Sequence, residues 1–324
     1  VRVDGIVMAV TDPRPPEVVY VLRALGLGDL LTAVPALRGL RRHFPDARLV
    51  LAAPPAFREL ALLTGAVDDV APTTRLGEVW RLDRSPMLGV NLHGSGPQSV
   101  DHLLGLNPVV LLTHRHERHP DLRGPPWRRD LHEVDRWCML LEWAGIPCDG
   151  DDLAIDRPEG YPDHSGVVVV HPGAAAPARR WPADRFAAIA AELHADGHDV
   201  VITGSAAERD LALAVAGGAG LSDSAVLAGT LDLLGLVALI SDCKLVVCGD
   251  TGVGHVATAT ATPSVLLFGP TPPSRWGPRG GEHNLVLWAG DVGDPHADRP
   301  HSGLLSLTTS RVLQASRTIL RECA

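Results

Sequence analysis

The sequence predicts an α/β protein built from two doubly wound domains that face each other across a cleft. Three observations predict it. At 324 residues the chain is long enough for two domains, each with its own core. Short apolar runs of strand length alternate with longer segments of helical periodicity, the pattern of parallel strands joined by helices. Between Gly145 and Gly166 the alternation lapses into an aperiodic stretch rich in Pro, Gly and Asp, and then it restarts. This places an N-terminal domain at residues 1–155 and a C-terminal domain at 156–324.

In the first half, Val18 to Leu22 reads as a strand, Leu30 to His43 as one helix, Arg48 to Ala52 as the next strand and Phe57 to Leu63 as a second helix. Strands at Leu88 to Leu92 and Val109 to Leu112 precede a longer helix from Leu131 to Ala144, whose apolar positions recur at helical spacing. The second half opens on Val167 to Val170, continuously apolar as a strand covered on both faces should be. Helices follow at Asp184 to Ala195, Ala206 to Ala216 and Leu231 to Ile240, with strands at Asp199 to Thr203, Lys244 to Cys248 and Ser264 to Phe268. A closing helix spans 309–321 and is expected to pack back on the N-terminal domain.

Composition removes several function classes. Apolar residues at 45% and charged residues at 21% are ordinary globular usage, which excludes a disordered or fibrous chain. A formal charge of −9 argues against a nucleic-acid binder, because a phosphate backbone is held chiefly by a basic surface. Any anionic ligand must therefore be held by a few local groups. Lys244 alone among the 29 basic residues is a lysine, a bias that points to a GC-rich genome. No apolar run approaches the ~20 residues needed to cross a bilayer. Val1 to Pro13 lacks the pattern of a signal peptide, so the expected location is cytoplasmic, with peripheral membrane contact left open. The five cysteines, odd in number and without metal-finger pairing, read as reduced structural thiols.

Three segments carry chemistry. Gly26, Gly28 and Asp29 follow the first strand, and in open α/β sheets ligands collect at the carboxyl ends of strands. Asp29 is thus a candidate general base, although its position alone favours a helix cap. The glycines do not complete a dinucleotide fingerprint, because Leu31 stands where Gly or Ala must allow close packing. The second segment, His171-Pro-Gly173 through Arg179, Arg180 and Trp181, offers a small-residue loop with forked donors suited to phosphate oxygens. Its alternative reading is a surface loop with solvated arginines and a packed tryptophan. The third, Gly249-Asp250-Thr251-Gly252 with Gly254 and His255, is a Gly-rich turn opening a helix, which presents N–H groups to an anion. Glu208 fits either a ribose diol or a helix dipole. The His114 to His119 run matches no metal-site spacing and reads as a solvated charged loop.

Taken in this order, the segments resemble glycosyltransferase family 9, the ADP-heptose-dependent heptosyltransferases of lipopolysaccharide core assembly. Gly28-Asp29 with Pro35 to Arg38 and Phe44 to Asp46 is similar to that family's opening motif, and His132 to Asp135 to its first-domain helix. His171-Pro-Gly173, Arg179 to Pro182, Asp250-Thr251-Gly252 with His255, Phe268 to Thr271 and Trp276 to Pro278 are similar to its donor-domain motifs. The family usually has Lys where Arg179 stands, and cysteines in the stretch where Ser302 to Leu307 has none.

The resemblance implies a GT-B architecture of two Rossmann-like domains, with the acceptor on the N-terminal half and a nucleotide sugar on the C-terminal half. It also implies an inverting, metal-independent transfer of a heptose from ADP-heptose to a hydroxyl of a glycan or secondary-metabolite acceptor, with no cofactor. Asp29 becomes the general base, reversing the preference for a cap, and Arg179 the second catalytic group. Glu208, Asp250, Thr251, Gly252, Gly254 and His255 bind the donor, while Gly28, His93 and Gly94 lie on the acceptor side. Two other classes remain. A non-catalytic nucleotide-sugar-binding protein would not need Asp29, and an NAD-dependent oxidoreductase would need the fingerprint that Leu31 spoils.

Overall fold

The computed structural model describes residues 15–78, 85–281 and 283–323. They form two compact units, one ending at Leu153 and the other beginning at Ala154. In the first, β1 (Val18–Leu22), β2 (Arg48–Ala53), β3 (Asp69–Pro72), β4 (Leu88–Asn91) and β5 (Val110–Leu112) make one sheet in the order β3-β2-β1-β4-β5. Every pairing in it is parallel. The chain runs outward from β1 to β3 and then returns to place β4 on the other side of β1. The switch point, where ligands of such sheets bind, therefore lies beyond the carboxyl ends of β1 and β4.

The helices of this unit are α1 (Leu27–Thr32), α2 (Val34–His43), α3 (Arg58–Leu63), α4 (Gln98–Leu104) and α5 (Glu133–Trp143). The single helix expected over 30–43 is two, beginning earlier at Leu27 and interrupted at Ala33. Pro35 explains the break, since proline suits the first turn of a new helix and cannot donate within a continuing one. The expectation that all cysteines are reduced also needs correction. Gly145, at φ +76°, turns the chain after α5, and Cys148 returns beside Cys138 with a Cα–Cα distance of 5.1 Å, where the two form a disulfide.

The second unit repeats the plan with β6 (Val167–His171), β7 (Asp199–Ile202), β8 (Leu245–Gly249), β9 (Ser264–Leu267) and β10 (Asn284–Leu287) in the parallel order β10-β9-β8-β6-β7. Its switch point lies beyond β6 and β8. Around it are α6 (Ala183–Ala195), α7 (Arg209–Gly218), α8 (Leu233–Asp242), α9 (Gly252–Ala259), α10 (Pro273–Trp276), α11 (Ser302–Leu305) and α12 (Thr309–Glu322). Val168, Val170, Val247 and Val265 are buried in the sheet, as continuous apolar strands covered on both faces must be. The closing helix α12 lays its apolar face in the second unit. Val312, Ala315 and Ile319 recur at helical spacing and enter the core of the second unit. Trp181 anchors this core, edge-on to Phe186 at 5.0 Å and donating from Nε1 to the Leu307 carbonyl at 3.1 Å.

Candidate functional site

In the first unit, β1 delivers the chain to the switch point and α1 begins there, so Gly28 and Asp29 lie at the carboxyl edge of the sheet. Asp29 caps the helix start and stays partly open. Its Oδ2 accepts from the Gly26 N–H at 3.1 Å, as a helix-starting carboxylate does, and its side chain keeps 27% exposure. Its Oδ1 lies 3.2 Å from Arg23 Nη2. Leu31 is buried, so the position that spoils the dinucleotide fingerprint is a core position. His93 and Gly94 follow β4 across the same switch point, where the Asn91 side chain holds the turn by accepting from the His93 N–H and donating to the Gly94 carbonyl. Among the described residues, nothing stands within 4 Å of a Cβ added at Gly94.

In the second unit, the loop after β6 and the turn after β8 meet. Arg179 ends a short 3-10 turn, Pro177–Arg179, and donates from Nη1 to the Asp250 carbonyl at 3.3 Å. The Arg179 Nε is buried with no hydrogen-bond partner among the described residues. Asp250 is buried, its backbone N–H held by the Leu267 carbonyl. Thr251 stands at the start of α9, whose first N–H groups, at Gly252 and Val253, have no acceptor within the helix itself. The Gly254 N–H donates to the Thr251 carbonyl at 3.0 Å. Gly254 is needed for packing, because a Cβ there would stand 3.0 Å from Leu266. A small open pocket at this end is lined by Asp250, Thr251, Gly254, His255, Phe268 and Trp276. The His255 ring packs edge-on against Trp276 at 5.8 Å.

Glu208 lies in the turn before α7, beside the loop that follows β6. Its Oε2 accepts from both the N–H and the hydroxyl of Ser205 at 2.8 Å, and its Oε1 lies beside Gly173 in the His171-Pro-Gly173 turn. Partial burial raises the Glu208 carboxyl, but the two Ser205 hydrogen bonds and the nearby His171 and Arg180 outweigh it and hold the group ionised. His171, wholly buried and 3.1 Å from the Thr203 hydroxyl, is pushed below the ordinary imidazole value by desolvation. Burial also pushes up the thiols of Cys243, to about 12, and Cys248, which keeps both inert.

Two features escaped the sequence reading. His114 is not part of a solvated loop: it is buried, with its ring edge-on to Trp127 at 5.0 Å. Beyond it, Arg115, Glu117 and Arg118 are exposed as expected. The second is a buried ionic cluster behind Asp29, made of Arg23, Glu133 and Arg136. Its one local signal is a charged residue directly ending the apolar strand Val18–Leu22. Among the described residues, no group of three or more His, Cys, Asp or Glu is arranged to hold a metal ion. No helix among them is long and apolar enough to cross a membrane.

Residues 126–295, which include the whole switch-point region of the second unit, match the model of glycosyltransferase family 9 (heptosyltransferase). The chain belongs to glycosyltransferase family 9. Among its relatives are the lipopolysaccharide heptosyltransferase 2 of Salmonella typhimurium, 31% identical over 209 residues, and a lipopolysaccharide heptosyltransferase 3 of Escherichia coli, 26% identical over 306 residues. The first match covers 60% of this chain and 57% of the relative's length, and the second covers 82% and 86%. The fold of this family 9 chain is GT-B. It is similar to a family 9 glycosyltransferase of Veillonella parvula, with TM-score 0.77 and 21% identity over 94% of this chain and 98% of the other. A similar likeness, TM-score 0.75 and 23% identity over the same shares, holds for the Escherichia coli ADP-heptose lps heptosyltransferase II.

Proposed function

We propose that this family 9 chain is an inverting heptosyltransferase that moves a heptose from ADP-heptose to a hydroxyl of a glycan or secondary-metabolite acceptor. The observation that carries the reading is the meeting of Arg179 and the Asp250-Thr251 turn at one switch point, with Glu208 beside Gly173 of the loop that leads to Arg179, all within the segment that matches the family. An Escherichia coli heptosyltransferase of the same fold, solved with ADP and with ADP-2-deoxy-2-fluoro heptose, supports a donor of this kind.

In this scheme Asp29 takes the proton from the acceptor hydroxyl as that oxygen forms its bond to the anomeric carbon. The bond to the diphosphate breaks on the opposite face, and its electron pair leaves with ADP. Negative charge grows on the diphosphate, where the Arg179 guanidinium and the first N–H groups of α9 are preorganised to meet it. Glu208, held ionised, accepts from the ribose hydroxyls. The scheme uses no metal ion and no cofactor. Its expected setting is the cytoplasm, with contact at a membrane surface when the acceptor is lipid-linked.

A second reading, nucleotide-sugar binding without transfer, draws on one observation: both Asp29 oxygens already have partners, in Gly26 and Arg23. Release of ADP from ADP-heptose on adding an acceptor panel separates the two. Asp29→Asn should abolish that release while ADP still binds. Near-normal turnover of the variant would remove Asp29 as base, and donor binding without turnover by the unaltered protein would favour the binding protein.

A further inference from the structure

Arg23 lies at the end of β1 with its side chain wholly buried, an unusual place for a charge unless every donor is used. Nε donates to the Asp29 carbonyl at 2.9 Å, Nη1 to the Leu92 carbonyl at 2.5 Å, and Nη2 to Thr32 Oγ1 at 3.3 Å and Glu133 Oε1 at 3.0 Å. The same Nη2 lies 3.2 Å from Asp29 Oδ1. The guanidinium is stacked over Trp137, 4.8 Å from the ring centre. Its backbone is fixed as well, because the Arg23 N–H donates to the Ala52 carbonyl and so continues the β1–β2 pairing.

Glu133 is the counterweight. Its Oε1 also accepts from Trp137 Nε1 at 3.1 Å, and its Oε2 from Arg136 Nε at 3.1 Å. Burial raises the Glu133 carboxyl, but Arg23 and Arg136 outweigh this and hold it ionised. Were Arg23 only a structural partner of Glu133, Arg136 would already supply a charge and nothing would need to reach Asp29. The guanidinium instead grips the carbonyl and the carboxylate of one residue, while Gly26 holds the second carboxylate oxygen.

We propose that Arg23, braced by Glu133, is the positioning residue for the Asp29 base: it fixes the carboxylate's direction at the switch point and keeps it ionised while its open side faces the acceptor. This rests on Asp29 being the base. Arg23 touches no substrate, since it is fully covered. Arg23 from β1 lies beside Asp29, with Glu133 and Arg136 from α5 behind it, and His93 from the β4 end interacts electrostatically with Arg23. Burial, with Arg23 and His102 nearby, lowers His93 to about 4, which favours its neutral form.

The test is the pH dependence of transfer in Arg23→Met, Arg23→Lys and Glu133→Gln. Loss of the Arg23 cation in Arg23→Met should lower kcat roughly 10–100-fold. It should also move the acid limb of the profile up by about one pH unit, as an unpaired carboxylate protonates more readily. Arg23→Lys should bring the limb back and restore part of kcat. Glu133→Gln, which keeps shape and removes the opposing negative charge, should move the limb down. ADP affinity should stay unchanged throughout. Glu133→Gln carries the test alone if Arg23→Met does not fold, since a merely structural role would lower stability without displacing the limb. Near-normal turnover of Asp29→Asn would overturn the base and with it the role of Arg23. An inactive Asp29→Asn together with an unmoved limb in the folded variants would overturn the Arg23 role alone.

Discussion

A Cβ placed on Gly173 would lie 2.2 Å from Glu208 Oε1, so the glycine after β6 and the acid before α7 occupy adjoining space. The carboxylate cannot simply swing aside, because Ser205 holds its other oxygen through two hydrogen bonds of 2.8 Å. Gly173→Ala should displace it, losing about 1 kcal/mol of stability with the hydrogen bonds. Affinity for ADP, measured by calorimetry, should fall roughly tenfold, or about 1.4 kcal/mol. Gly217→Ala, where nothing stands within 4 Å of the added carbon, serves as the control and should leave ADP affinity unchanged. Equal affinities in the two variants would remove Glu208 from the nucleotide site.

Two buried histidines set a pH window for stability. Desolvation lowers His114, to about 4, and also His171, whereas in the unfolded chain both titrate near 6.5. Between those values the unfolded state binds more protons than the folded one, so stability falls as pH drops through 6.5 toward 4. The slope is about 1.4 kcal/mol per pH unit for each histidine. Thermal melts at pH 7 and pH 5 should show a clear fall in Tm, and His114→Asn should reduce it. A Tm flat over this window would mean that these rings are charged in the folded protein.

The parts of the fold and of the candidate site that were legible in the sequence are those whose pattern is local. Asp29 and Asp250 each follow an apolar strand within a few residues, and Val167 to Val170 reads as a strand because burial on both faces demands a continuous apolar run. The edge strands Asp69–Pro72 and Asn284–Leu287 have four residues each and mixed character, too short a pattern to stand out. Arg23 could not be placed because its meaning is long-range: Glu133 and Leu92 lie 110 and 69 positions away. The disulfide was missed for a related reason, since Cys138 and Cys148 are brought together by the turn at Gly145 rather than by a recognisable spacing.

Among the described glycines of the first unit, Gly124 is where an added Cβ would come closest to another backbone atom. A Cβ there would meet the Thr113 carbonyl oxygen at 1.9 Å, and that oxygen belongs to backbone just beyond β5, where the Arg115 N–H donates to the Pro125 carbonyl. No side-chain rotation relieves such a clash, so the two strands of chain must separate. Gly124→Ala should destabilise the protein by about 3 kcal/mol and lower the midpoint of urea unfolding accordingly. A midpoint matching the parent would show that this crossing is loose.

In the proposed scheme Arg179 holds the donor diphosphate. Its Nη1 reaches the Asp250 carbonyl at 3.3 Å, while its Nε is buried with no partner among the described residues. A buried N–H without an acceptor carries a desolvation cost of about 1–3 kcal/mol, which an incoming phosphate oxygen would remove. Arg179→Ala should therefore weaken ADP binding by roughly 10–100-fold and lower turnover as well, because the same cation meets the charge that grows on the leaving group. Arg179→Lys keeps the charge and loses the planar fork, so its affinity should fall between the two. The distinction lies in AMP, which lacks the second phosphate: its affinity should change little in either variant. Equal losses for ADP and AMP would place Arg179 on the nucleoside side of the site instead of on the diphosphate.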